Sequence, residues 1–242
     1  MSAAQIVAVA GAVFVAAFVQ AIAGFGFGLM AMPLMTIVIA PSTAVVVSTL
    51  VGVSITTWQS WAMRADAQRV IVKRMAIGAY VGMPLGLVVL TTVSEQALRL
   101  AVGVAVLAAV VLLAANVRFE PGTRTDATAG FVSGVLNTSV STNGPPLVFA
   151  LQARRLDAPE FRATISAVFA LSNVFALTLF VATGKVNRDG LITAALAAPA
   201  LLIGQAIGFP LRRHVHGQRF RALVLVLLTL AGASAVLGAL RG

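Results

Sequence analysis

Residues 1–63 contain no Asp, Glu, Lys or Arg. An ordinary soluble domain carries about 25% charged residues, so no soluble fold can easily absorb a run of this length. The pattern then repeats. Charge-free stretches cover 75–94, 100–117, 127–153, 163–184, 190–211 and 222–240. Each is close to or above the roughly 18–20 apolar residues that cross a hydrocarbon core as a helix. The alternating pattern of an outer-membrane barrel is absent, and helices are the expected spanning element. The chain is read as an all-α integral membrane protein forming a single transmembrane domain over residues 1–242.

The net charge of +10 raises the question of a nucleic-acid partner. The basic residues argue against one, because they sit in short loops between apolar runs, where topology signals belong. The chain has no cysteine, which excludes a disulfide framework and a cysteine metal site. His214 and His216 share one basic loop and read as solvated side chains. No metal and no cofactor are expected. The N-terminus lacks a basic stretch followed by a cleavage site and reads as the start of the membrane fold.

A weak internal repeat is visible. With Phe18-Val19 placed over Phe131-Val132, Pro33-Leu34 falls on Pro146-Leu147, and Gly24, Gly26 and Gly28 fall on Asn137, Ser139 and Ser141. After a short insertion, Pro41, Ser48 and Ser54 meet Pro159, Ser166 and Ser172. Gly82 and Gly86 then meet Gly204 and Gly208, and Arg99 meets Arg221. The ordered series suggests two units, 2–117 and 118–242.

Loop charges suggest how these units are oriented. Eight simple transmembrane helices in two parallel halves would put nine Lys and Arg on one side and eight on the other, which is no bias. Inverted halves would gather 64–74, 118–126, 154–162 and 212–221 on one side, with thirteen basic residues against four. The second count is a normal positive-inside pattern. Inversion requires 127–153 to start and finish on one side, as a re-entrant hairpin does. The preferred architecture is therefore two inverted repeats, each a broken helical hairpin plus three transmembrane helices. Eight simple helices are the alternative.

The expected hairpin turns are Ala23-Gly24-Phe25-Gly26-Phe27-Gly28 and the stretch from Asn137 to Pro146. Glycine weakens a helix and proline removes a donor. Such breaks survive at membrane depth only where protein or a water-filled cavity covers them. Thr142 or Asn143 can cap a helix that begins at the Pro145-Pro146 pair. A helix N-terminus offers free N–H groups and the positive end of a dipole. Two opposed breaks meeting at the midplane would form an anion site without a buried cation.

The candidate substrate-binding residues are Gln20, Gly24, Gly26, Gly28, Asn137, Ser139, Ser141, Thr142, Asn143 and Gly144. Arg99 and Arg221 are candidate entrance residues. Gly82-x-x-x-Gly86 and Gly204-x-x-x-Gly208 read as helix-packing motifs. Trp58, Gln59, Ser166, Ser172 and Asn173 lie in or near spans, where hydroxyls often bond only their own helix. No carboxylate is expected inside a span, which argues against an embedded proton relay. An intramembrane enzyme using Ser133 or Ser139 with His214 fits poorly, because His214 falls in a surface loop. The chain is not read as an enzyme.

At these residues the sequence resembles the TauE/SafE sulfite-exporter family of bacterial transporters. The resemblance rests on Phe18 to Gly28 followed by Pro33-Leu34, then on Gly130-Phe131-Val132-Ser133-Gly134 and Asn143-Gly144-Pro145-Pro146-Leu147, and it spans nearly the whole chain. It implies a multi-pass protein of the bacterial inner membrane that carries sulfite, sulfonates or related organosulfur anions. It points to 24–28 and 143–146 as the transport core. The segment 137–142 carries more hydroxyl and amide groups than the Gly-rich family motif, which bears on substrate choice. The leading expectation is a secondary transporter of a small oxyanion by alternating access, with the bilayer as its surroundings and a homo-oligomer left open. An anion channel and a non-transporting membrane subunit are the alternatives.

Overall fold

The structure, a computed structural model, describes residues 2–115, 120–211 and 218–241. His214 and His216 lie outside the described residues, as does the side chain of Arg221. The described residues form ten helices and no strand. In the first half these are α1 (Ala3–Ala23), α2 (Phe27–Met35), α3 (Pro41–Ala62), α4 (Arg69–Thr92) and α5 (Glu95–Ala114). In the second they are α6 (Thr123–Val140), α7 (Gly144–Gln152), α8 (Ala158–Ala182), α9 (Arg188–Leu211) and α10 (Gln218–Arg241). Helices α1, α3, α4, α5, α8 and α9 are long and apolar enough to cross a membrane. The protein is an all-α integral membrane protein.

Each half thus runs as a long helix, a short one of nine residues, and three further long ones. The packing follows the same order when the halves are exchanged. Helix α1 lies along α9, and its counterpart α6 lies along α4. Helix α3 packs on α8, and α5 on α10.

Small residues explain the closest of these contacts. A side chain at Gly78, Gly82 or Gly86 of α4 would overlap the α6 backbone near Ala127, Phe131 and Val135. One at Gly130 or Gly134 would overlap Met75 or Ala79 of α4 in return. Across the other pair, Gly204 and Gly208 of α9 face Phe14, Ala17, Phe18 and Ala21 of α1. Lipid gives apolar helices no hydrophobic reason to associate, so close backbone approach supplies the contact energy instead. The glycine pairs read from the sequence as packing motifs occupy these two seams.

Helix α6 is the most polar of the long helices, with Ser133, Asn137, Thr138 and Ser139 all buried. Thr138 donates to the carbonyl of Met83 at 2.6 Å, so part of this polarity is spent on α4. Asp126 corrects one sequence expectation. It falls in the first turns of α6 and not in a loop, and it is fully buried. Arg154 donates to both of its carboxylate oxygens, at 3.0 and 2.5 Å, and Arg74 lies 3.7 Å away. Gln68 bonds Thr164 and Glu160 nearby. These contacts bring the basic segments around 74, 126 and 154–162 to one end of the molecule. At the other end Glu95 accepts from Ser42, and Gln96 donates to Ala239.

Candidate functional site

Both expected breaks are present, and both are shorter than the sequence suggested. Helix α1 ends at Ala23, and the chain turns through Gly24 and Gly26 with φ of 83° and 97°. Residues with a side chain rarely adopt these values, which is why glycine alternates here. Helix α2 starts at Phe27, so Gly28 belongs to its first turn. The second break is only residues 141–143, because α6 continues to Val140. Asn137 and Ser139 therefore sit in the last turns of α6 and not in the turn itself. Ser141 adopts a left-handed φ of 53°, a conformation that costs a residue other than glycine roughly 1–2 kcal/mol.

The two breaks meet. A methyl group at Gly28 would collide with the carbonyl oxygen of Ser141. At this junction lies a cavity of about 30 Å³, somewhat more than a single water requires. Gln20, Gly26, Gly28, Ser141, Asn143 and Gly144, all candidates from the sequence, line it. Gly24 does not, since it faces the stem of Arg162. Ser139 donates to Val135 of its own helix. Asn137 is buried elsewhere with its amide nitrogen unpartnered among the described residues. Thr142 lines an apolar groove between α5 and the second hairpin. Arg99 is half-buried, its stem near Gly238 and its Nε unpartnered among the described residues.

Neighbouring helices supply polar groups that the sequence reading did not select. Ser48, Thr56 and Asn173 line the cavity. Ser141 donates to the Ser48 hydroxyl at 3.1 Å, and the amide of Asn173 donates to Thr56 at 3.4 Å. Behind Gln20 stands a buried amide chain, in which Gln205 donates to Gln20 and to the Ala17 carbonyl while Gln59 donates to Gln205. Among the described residues, no ionisable side chain lines the cavity.

The donors facing this space come from two sources. Helix α2 has no side-chain cap, so the first-turn N–H groups of Phe27, Gly28 and Leu29 lack helical acceptors. Helix α7 is different, because Pro145 and Pro146 remove two of its four orphan donors. The expected side-chain cap at Asn143 is also not made. The Asn143 amide nitrogen instead stays buried and unpartnered among the described residues, and Ser133 holds the Asn143 carbonyl at 2.9 Å. One helix end thus offers backbone donors and the other offers mainly side-chain donors. Neutral donors converging on a small space suit an anion and offer little to a cation.

The model of the family described as Sulfite exporter TauE/SafE matches residues 9–235. This chain belongs to the TauE/SafE family. The family's description is that of sulfite exporters. A curated relative, the "Probable inner membrane transporter protein TsaS" of Comamonas testosteroni, is 31% identical over 118 residues. That match covers 48% of this chain and 49% of the relative, so the chain spans about half the length of the curated relative it matches. No solved structure matches the chain.

Proposed function

We propose that this TauE/SafE protein is a secondary transporter of the bacterial inner membrane. Its substrate is a small organosulfur oxyanion, a sulfonate or sulfite, bound between the N-termini of α2 and α7. The observation that carries this reading is the junction of the two breaks, where backbone and amide N–H groups without partners among the described residues surround a cavity that no described charged side chain lines. Gly28 and Leu29 supply backbone donors, Asn143 supplies its amide, and Ser48, which accepts from Ser141, supplies its own hydroxyl. A helix N-terminus favours negative charge, and a desolvated oxyanion strengthens each hydrogen bond it accepts.

The two halves act as inverted repeats in this reading. Their matching helix series and exchangeable pairing support a duplication. Inversion is supported by the gathering of basic segments around 74, 126 and 154–162 at one end. Alternating access is supported by a difference between the halves. Helix α2 packs on α10, whereas the equivalent α7 and α5 border an apolar groove of about 410 Å³. Exchanging those two arrangements would open one side while closing the other. The glycine seams imply that each hairpin moves together with its partner helix, α6 with α4 and α1 with α9. The small cavity favours a carrier that encloses its substrate over a channel.

Asn143→Leu is the direct test. It removes an amide donor and keeps side-chain bulk, and it is expected to abolish oxyanion uptake into proteoliposomes without changing membrane insertion. Normal flux through this variant would remove the site from 143–144.

A further inference from the structure

An unused cation stands beside the first break. Arg162, in the second turn of α8, is half-buried and makes no hydrogen bond or ion pair with any described residue. Its neighbours are committed elsewhere. Arg74 and Arg154 share Asp126, and the Glu160 carboxylate accepts from Gln68 and from the Asp157 N–H. The Arg162 stem lies over Gly24, whose missing β-carbon would come 3.2 Å from its Cγ and 3.7 Å from its Nε. A half-buried guanidinium without a counter-ion is costly to keep, unless a mobile anion visits it.

The register of α8 links this cation to the cavity. Residues 162, 166, 169 and 173 fall on one helical stripe, and Phe169 and Asn173 line the cavity. Arg162 therefore stands two turns from Phe169, about 10 Å along the axis, towards the end that carries the basic loops. At the cavity wall the rings of Phe169 and Phe25 both approach Gly144, at 3.8 and 3.9 Å from a β-carbon built there. The cavity has hydrogen-bond donors but no charged side chain in its lining among the described residues. The nearby charge of Arg162 is outside that lining.

We propose that Arg162 is the anion-recruiting residue of the transport path on the basic-loop side. It captures the oxyanion by charge at the tip of the first hairpin, and the anion then passes Phe25 and Phe169 to the neutral donors of the cavity. This role rests on the oxyanion-transport reading and adds a separate recognition step to it. Capture by charge is not selective among compact oxyanions, so discrimination falls to the cavity.

The test uses the full chain in proteoliposomes of known orientation, with sulfite and methanesulfonate as probes offered at either face. Arg162→Gln is expected to raise KM about tenfold at the basic-loop face, the effect of one charge at about 10 Å in a partly screened setting. Maximal rate, and KM at the other face, are expected to stay unchanged. Arg162→Lys is expected to restore most of the affinity, and the salt dependence of KM is expected to weaken in Arg162→Gln. An unchanged KM at the basic-loop face, an equal change at both faces, or no rescue by lysine would overturn the proposal. If Asn143→Leu still abolishes flux in that case, only the role of Arg162 fails. No flux of either probe through the wild-type protein would overturn both readings.

Discussion

Gly28→Ala is expected to abolish most transport while the protein still inserts and folds. The added methyl would meet the Ser141 carbonyl, which is backbone and cannot rotate away. The two breaks must then separate. Forcing one extra carbon into a well-packed contact typically costs about 1–3 kcal/mol, which corresponds to roughly 5–150-fold in an equilibrium. That energy falls on the junction that defines the cavity. It should appear as lost substrate binding more than as lost global stability, since the seams α4–α6 and α1–α9 are untouched. Gly26→Ala provides the control. Gly26 has open space where a methyl would sit, but its φ is 97°, so the substitution strains the turn without driving the breaks apart. Its effect on flux is expected to be smaller. Equal, mild effects of both substitutions in a vesicle uptake assay would show that contact between the breaks is not needed for transport.

This contrast also shows what the sequence could and could not reveal. Charge spacing was enough to find the helices, because a bilayer tolerates few unpaired charges in its core. Glycine and proline marked both breaks, because backbone chemistry at those residues is local. The length of each break was less legible. Nothing between Asn137 and Val140 forbids a helix, so α6 ran on and carried Asn137 and Ser139 away from the turn. Ser48, Thr56 and Asn173 were harder still. A hydroxyl in a span bonds its own helix as readily as a ligand, as Thr56 does with Gly52 at 2.7 Å. Only the pairing of α3 with α8 decides that these faces meet the cavity. Gln205 carries the same lesson, since its value lies in reaching Gln20 from a helix 185 residues away in sequence. Arg162 looked like one more loop cation because its distinguishing feature is the lack of a partner, and a sequence does not display partners.

Asp126→Ala is expected to give the largest loss of stability of any single substitution near the basic end. The carboxylate is fully buried and bonded in fork geometry by Arg154, whose side chain is only 19% exposed. The Gly122 carbonyl takes one more of that guanidinium's donors, at 3.1 Å. Asp126 opens α6 and Arg154 follows α7, so this pair fastens the two feet of the second hairpin together, and Arg74 ties them to α4. Removing one partner of a buried pair leaves an uncompensated charge and costs about 3–5 kcal/mol. For a chain of this size that is a fall of roughly 10 °C in melting temperature, measurable in detergent. Arg74 is 37% exposed and can turn to water, so it softens the penalty without cancelling it. Replacing both members, as in Asp126→Leu with Arg154→Leu, should recover much of the loss, because paired apolar groups leave no buried charge behind. A melting temperature for Asp126→Ala within 2 °C of the wild type would mean that the hairpin is held by the glycine seam alone. Transport should distinguish the same two cases. A clamp at the feet keeps the second hairpin moving as one body with α4, so the destabilised single variant should lose maximal rate, whereas the apolar double variant should regain it along with its stability.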